Sequence, residues 1–377
     1  MPIGDPALDW CTGSFARGRC NLTYGPKGSG KSTISLIAAG KEQQLCLQAM
    51  INKNISTENR GWVLVFDSEY SYPDHMDVDE KTGSLTEEAK KARKRYEMAG
   101  IDPDRLLIIR GNKVDKLFHG VGELKKQVEE DVFAISGIII DSWGGIMPEQ
   151  TIDKLEGNKA DDSGKSFGGN AKTIGGVVQY FLNIAAENGV TNFWVQHCIQ
   201  NMDQYGPKWL LIGGQKLQFL VHSVLFVESA ASKDGHLLDG DVISKDHKEA
   251  ITQVGKKIYA KCEKSRFVSE GRKVEFFMNF DDVKFALPEY SLFNLADKLD
   301  VFQKAGAWYS YPKNTEGAQK FQGSKGVMTA LKEDQDFFND VYQECMGLNI
   351  SDATGGIQIG SDEGIEGDIN KKKDHKE

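Results

Sequence analysis

The stretch "YGPKGSGKSTISL" (24–36) restricts the fold more than any other part of the chain. Gly25, Gly28 and Gly30 allow backbone angles that side chains forbid, so several N–H groups can converge on one anion. The run Gly25, Pro26, Lys27, Gly28, Ser29, Gly30, Lys31, Ser32, Thr33 reads G-x-x-x-x-G-K-S, the Walker A phosphate cradle. Lys31 stands where a cation reaches the outer phosphates. Ser32 stands where a hydroxyl holds Mg²⁺, at the positive end of the helix that starts there. The preceding "CNLTY" is the strand such a cradle requires. Nucleotide binding is the expectation.

A cradle of this kind needs a sheet, and the rest of the chain supplies one. "WVLVFDSE" (62–69), "RLLIIRG" (105–111), "ISGIIIDSW" (135–143) and "VTNFWVQH" (190–197) alternate with amphipathic or charged helix candidates, the pattern of a mostly parallel sheet with helices on both faces. "HSVLFVES", "KKIYAKCEKS" and "RKVEFFMNF" follow without helices between them and predict an antiparallel extension. From about Pro288 the pattern changes to a helix, a "GAWYSYP" strand or turn and a further helix, a small α/β C-terminal domain. The expected organisation is a core over 1–287, a small domain over 288–350 and a disordered tail over 351–377, Gly-rich with seven acidic and four Lys residues.

Composition excludes other classes. No apolar run reaches transmembrane length and no basic-then-apolar leader opens the chain, which predicts a soluble, cytoplasmic protein without a membrane partner. Six cysteines without a C-x-x-C pair suit reduced thiols and argue against a zinc site. A net charge of −9 speaks against a general nucleic-acid coat, while local basic loops can still grip phosphates.

Three polar residues end strands facing the cradle. Asp141 closes the buried "GIIID" and can hold Mg²⁺ with Ser32. Glu69, in "VFDSE", can orient the water that attacks the γ-phosphate. Gln196, in "FWVQHC", is a neutral amide able to feel the same phosphate.

In order, "GPKGSGKST", "FDSE", "GIDPDRLL", "IIIDS", Gln196 with its following loop and Gly213–Gly214, "EKSR" and "KAGAWYSY" resemble the RecA recombinase family, closest to its phage UvsX-type branch, over roughly residues 8 to 345. The resemblance implies a RecA-like P-loop ATPase core, with Lys31 and Ser32 on phosphate and Mg²⁺, Glu69 on the attacking water, Asp141 on the metal and Gln196 sensing the γ-phosphate. It implies that Lys264 and Arg266 reach a neighbouring subunit's ATP. It also implies two DNA-binding loops, 148–172 with Phe167 and Lys172, and 197–214 with Met202, Tyr205, Lys208 and Trp209. Tyr96 lies one position from the family's adenine-stacking tyrosine, and Phe280 is the aromatic alternative. Seven residues precede Leu8, so the family's N-terminal assembly element is not expected.

The function so implied is an ATP- and Mg²⁺-dependent homologous recombinase. It forms a helical homo-oligomeric filament on single-stranded DNA, pairs it with homologous duplex and exchanges strands in recombination and repair. Single-strand-binding and mediator proteins are expected partners, and the compartment is the bacterial cytoplasm or, for a phage-encoded chain, the host's. The alternatives are a RecA-fold ATPase that assists annealing or helicase loading without strand exchange, and a nucleotide-switched DNA-binding protein.

Overall fold

Alternate residues of the central strands are buried on opposite faces, which is what a sheet covered on both sides demands. Val63 and Val65 of β2 (Arg60–Asp67) join one apolar cluster, whereas Leu64 and Phe66 join the other. In β4 (Ala134–Asp141), Ile139 faces the first cluster and Ile138 and Ile140 the second. The computed structural model describes residues 1–58, 60–113, 119, 134–146, 166–203, 205–212, 215–230, 236–238, 253–279 and 285–353.

Among these residues, β1 (Cys20–Gly25), β2, β3 (Leu106–Arg110), β4, β5 (Thr191–Gln200) and β7 (Ser223–Ser229) form a parallel run in the order β7-β1-β5-β4-β2-β3. The antiparallel extension is present. β9 (Gln253–Lys264) pairs with β7, β10 (Lys273–Asn279) with β9, and the short β8 (His236–Leu238) also with β9. The remaining strand, β6 (Trp209–Leu211), folds back on β5.

Helices α1 (Pro6–Thr12) and α2 (Lys31–Asn52) contribute to the first cluster, as does α3 (Glu87–Met98), capped by the Thr86 hydroxyl. The second cluster is covered by α4 (Ser166–Asn188), with Val177, Val178 and Phe181 buried, and by α5 (Gln215–Leu220) through Leu217. A three-stranded antiparallel sheet follows, β11 (Gln303–Ala305), β12 (Trp308–Tyr311) and β13 (Gln319–Gln322), packed with α6 (Pro288–Lys298), α7 (Gly323–Glu333) and α8 (Gln335–Ala353). Its aromatic core of Phe302, Tyr311 and Phe337 is continuous with the first cluster through α1 and α6. Helix α8 runs through Ala353, three residues past the boundary expected at 350. The rest of the expected tail lies outside the described residues.

Three boundaries differ from the sequence reading, each for a local reason. β2 stops at Asp67 because its buried carboxylate accepts the amides of Glu69 (3.2 Å), Ser71 (3.0 Å) and Tyr72 (3.0 Å), turning the chain; Glu69 therefore stands in the turn, not on the strand. β5 continues past Gln196 to Gln200 because β6 satisfies its backbone, with Cys198 opposite Leu211 and Gln200 opposite Trp209. Within the expected loop 197–214, the described residues thus form a hairpin whose tip begins at Asn201. Finally, α4 already includes Ser166 to Lys172, so Phe167 and Lys172 lie on a helix rather than in a loop. Its glycines argue against helix locally, and burial of its apolar face outweighs them.

Asp5 caps α1 by accepting from the amides of Ala7 and Leu8, and Asp9 accepts from the amide of Ile3. Burial pushes both carboxyls up to about 7, against the hydrogen bonds they accept. The folded chain therefore holds protons that the unfolded chain has released, so these groups cost stability progressively as pH rises from about 4 to about 7, and fully above that. Asp5→Asn keeps a capping oxygen and cannot ionise. Its melting temperature relative to the parent should rise by at least about 2 °C between about pH 5 and about pH 8. A difference that stays constant over this range contradicts the assignment.

Candidate functional site

The cradle is pinned on one side and open on the other. A Cβ on Gly25 would lie 1.9 Å from the Val227 carbonyl, and one on Gly30, which has φ +86°, 2.5 Å from Met278 Sδ. Gly28, at φ +74°, has open space where a side chain would stand. Its carbonyl accepts from the Ser229 hydroxyl (3.0 Å) and from the Lys256 ammonium, so β7 and β9 hold the loop from beneath. The Ser29 hydroxyl and Lys31 Nζ both donate to the Pro26 carbonyl at 2.8 Å. No side chain caps the first turn of α2, and Thr33 is buried in it while Lys27 is exposed. Burial draws the Lys31 ammonium below the usual lysine range, with Asp141 the largest opposing charge. An uncapped helix start, a glycine cradle and a partly desolvated cation fit a phosphate chain.

Asp141 reaches this point from the end of β4. It is hydrogen-bonded by Ser32 and by the Tyr72 hydroxyl at 2.9 Å. Burial raises its carboxyl above the ordinary value, and the two hydroxyls oppose that. Ser32 and Asp141 fit a hard cation that takes the rest of its oxygen shell from phosphate and water, as Mg²⁺ does. Among the described residues no group of three or more His, Cys, Asp or Glu side chains could hold a metal alone.

Glu69 accepts hydrogen bonds from the Ser142 hydroxyl and, at 2.7 Å, from His197 Nε2. The His197 bond is the largest influence on the carboxyl, which is held down to about 2, so Glu69 is ionised at any physiological pH. Gln196 is 1 % exposed and uses both ends of its amide. Its Oε1 accepts from the amides of Gly144 (3.0 Å) and His197 (2.9 Å), and its Nε2 donates to the Ile212 carbonyl at 2.9 Å. It thus ties the turn after β4 to both legs of the β5–β6 hairpin.

The hairpin leaves its tip exposed. Met202 is 92 % and Tyr205 97 % exposed at its tip. Lys208 and the Trp209 indole N–H both bond Glu228 Oε1, at 2.6 and 3.1 Å. The side chains of Phe167 and Lys172, residues 147–165 and Phe280 lie outside the described residues. Tyr96 belongs to the core: it is wholly buried, with its hydroxyl on the Pro73 carbonyl at 2.8 Å.

Lys264 and Arg266 are not at this chain's own cradle. Lys256, near the start of β9, touches Gly28; Lys264 is eight residues further along the same strand, about 26 Å away. There its ammonium donates to the carbonyls of Gln218 (3.0 Å) and Phe219 (2.7 Å), beside a cavity of about 660 Å³ that Lys261, Glu263 and Glu270 also line, and Arg266 is exposed nearby. The sequence reading missed Tyr72, Ser142, His197, Glu228 and Lys256. Ser142, next to Asp141, and His197, next to Gln196, carried a positional signal.

Residues 290–347 match the RecA C-terminal domain family. Protein RecA of Salinispora arenicola is 24% identical over 368 residues, covering 95% of this chain and 87% of its own length. Protein RecA of Chloroherpeton thalassium is 24% identical over 358 residues (93% and 82%), and that of Chlorobaculum tepidum 24% over 349 residues (91% and 82%). Among the described residues no helix is long and apolar enough to cross a membrane. The C-terminal match and these nearly full-length similarities support the RecA family for this chain.

Proposed function

We propose that the protein is an ATP-dependent homologous recombinase that assembles on single-stranded DNA, pairs it with a homologous duplex and exchanges strands, hydrolysing ATP as it does so. The observation that carries this reading is the Gln196 amide, buried beside the Glu69 site and bonded to Ile212 where the exposed hairpin returns. A change at the γ-phosphate position can thereby alter the hairpin, and contact at the hairpin can alter the site.

In this mechanism the cradle amides and Lys31 hold the phosphates, and Ser32 and Asp141 would hold Mg²⁺, which supplies charge neutralisation at the transferred phosphoryl group. Glu69 orients the attacking water. Lys264 and Arg266, too far from their own cradle, act at a neighbour's, so that a complete site exists only between two copies. Met202 and Tyr205 contact bases by stacking without reading them, while Lys208 exchanges Glu228 for a phosphate. Phe167 and Lys172 at the start of α4 are proposed to complete the DNA surface, and Phe280 to meet the adenine. The UvsX-type likeness and a bacterial or host cytoplasmic location belong to the same proposal.

Tyr205→Ala should weaken binding to single-stranded DNA about tenfold, the worth of one stacked base, and leave ATP affinity unchanged. Equal DNA affinity in a fluorescence-anisotropy titration removes Tyr205 from the interface. The reading as a whole is tested by joint-molecule formation between a single-stranded circle and linear duplex. Homologous duplex should give products with ATP and Mg²⁺ and heterologous duplex none. DNA-stimulated hydrolysis without joint molecules would favour an annealing or loading ATPase.

A further inference from the structure

Side chains of β9 and β10 press on the underside of the cradle. Met278 and Ile258 stand 2.5 and 2.8 Å from where Gly30 would carry a Cβ. Lys256 is the register partner of Met278 and shares a face of β9 with Ile258; it donates to the Gly28 carbonyl, which also accepts from the Ser229 hydroxyl at 3.0 Å. Gly30 is thus fixed by contact, whereas a Cβ on Gly28 would meet nothing within 4 Å. A glycine peptide without such contact turns readily, and these two donors set its direction. The Gly28–Ser29 bond is trans. With its carbonyl held toward β7 and β9, its N–H, that of Ser29, points the opposite way, to the side where Lys31 Nζ and the Ser29 hydroxyl meet on the Pro26 carbonyl. This N–H reaches the Pro26 carbonyl only at 3.4 Å, a weak bond that a phosphate oxygen would replace with a stronger one. Charge acts in the same direction. Lys256 is half-buried, burial draws its ammonium below the usual lysine range, and its charge presses Lys31 the same way. Two partly desolvated cations beside one loop are both relieved by a bound anion.

Taking the cradle as the phosphate site of the proposed ATPase, we infer that Lys256 is a positioning residue for nucleotide binding, whose bond to the Gly28 carbonyl keeps the Ser29 amide turned toward the β-phosphate that ATP and ADP share. It acts on the chain's own nucleotide, from the opposite end of β9 to Lys264.

The test uses the full chain with Lys256→Met, Lys256→Ala and Lys256→Arg, titrated with fluorescently labelled ATP and ADP in the presence of Mg²⁺ and melted without nucleotide. Met and Ala both remove the donor, Met keeping the apolar stem; Arg keeps an N–H and the charge. Met and Ala should weaken ATP and ADP by the same factor, about tenfold, the scale of one hydrogen bond from a charged group, and Arg should bind both within about twofold of the parent. Parental affinity for both nucleotides in the Met or Ala variant overturns the inference, whatever the melting temperature, because Lys256 then serves the fold alone. An Arg variant as weak as Met overturns it too. So does an ATP loss that exceeds the ADP loss by about tenfold, since Lys256 would then touch the γ-phosphate itself. Lys31→Ala is run in parallel. If it binds ATP like the parent, the reading of the cradle falls and takes this one with it; if it binds weakly while Lys256→Met binds like the parent, only the role of Lys256 falls.

Discussion

Glu69→Gln should lower ATP hydrolysis by about a hundredfold or more and leave ATP and DNA binding close to the parent, because the carboxylate proposed to orient and accept from water is replaced by an amide of equal size. Its immediate partners tolerate the change. Gln retains an oxygen to accept from Ser142 and His197, so the turn after β2, which Asp67 holds independently, should keep its shape. Loss of nucleotide binding in this variant would mean that Glu69 is structural. Hydrolysis near the parental rate would remove it from the mechanism.

A mixture of Glu69→Gln and Lys264→Ala proteins should regain activity that neither is expected to have alone. The distance argument makes this the larger claim: Lys256 and Lys264 sit on one strand, the first against the Gly28 carbonyl, and the second at the opposite end of the sheet on the carbonyls of Gln218 and Phe219. A rigid strand cannot bring Lys264 back to its own cradle, so any role in hydrolysis must be played on another copy. If copies mix at random in a head-to-tail array, about a quarter of the interfaces in an equal mixture join an intact Glu69 to an intact Lys264. Recovery should therefore be partial and rise with protein concentration on short DNA. A mixture that stays inactive while crosslinking places both variants side by side contradicts a shared site.

The sheet was legible in the sequence because its central strands are buried on both faces and so read as continuous apolar runs. "GIIID" and "VLVF" admit little else. The cradle was legible because its glycines, lysine and hydroxyl are adjacent in the chain. What the sequence concealed depends on contacts made at a distance. His197 meets Glu69 128 residues away, Tyr72 meets Asp141 69 residues away, and Lys256 meets Gly28 228 residues away. No local pattern marks such pairs. Strand ends were misplaced for the same reason: Asp67 ends β2 with its side chain, and β6 extends β5 by pairing with it. The likeness that suggested Tyr96 as near the adenine position gave no sign that its ring is wholly buried against His75.

The shared site between neighbouring copies is tested most directly by electron microscopy of the protein on single-stranded DNA with a non-hydrolysable ATP analogue. Continuous helical filaments, with the edge bearing Lys264 and Arg266 of one subunit against the cradle of the next, are the expected result. Isolated particles on the DNA, or filaments in which that edge faces solvent, would contradict it.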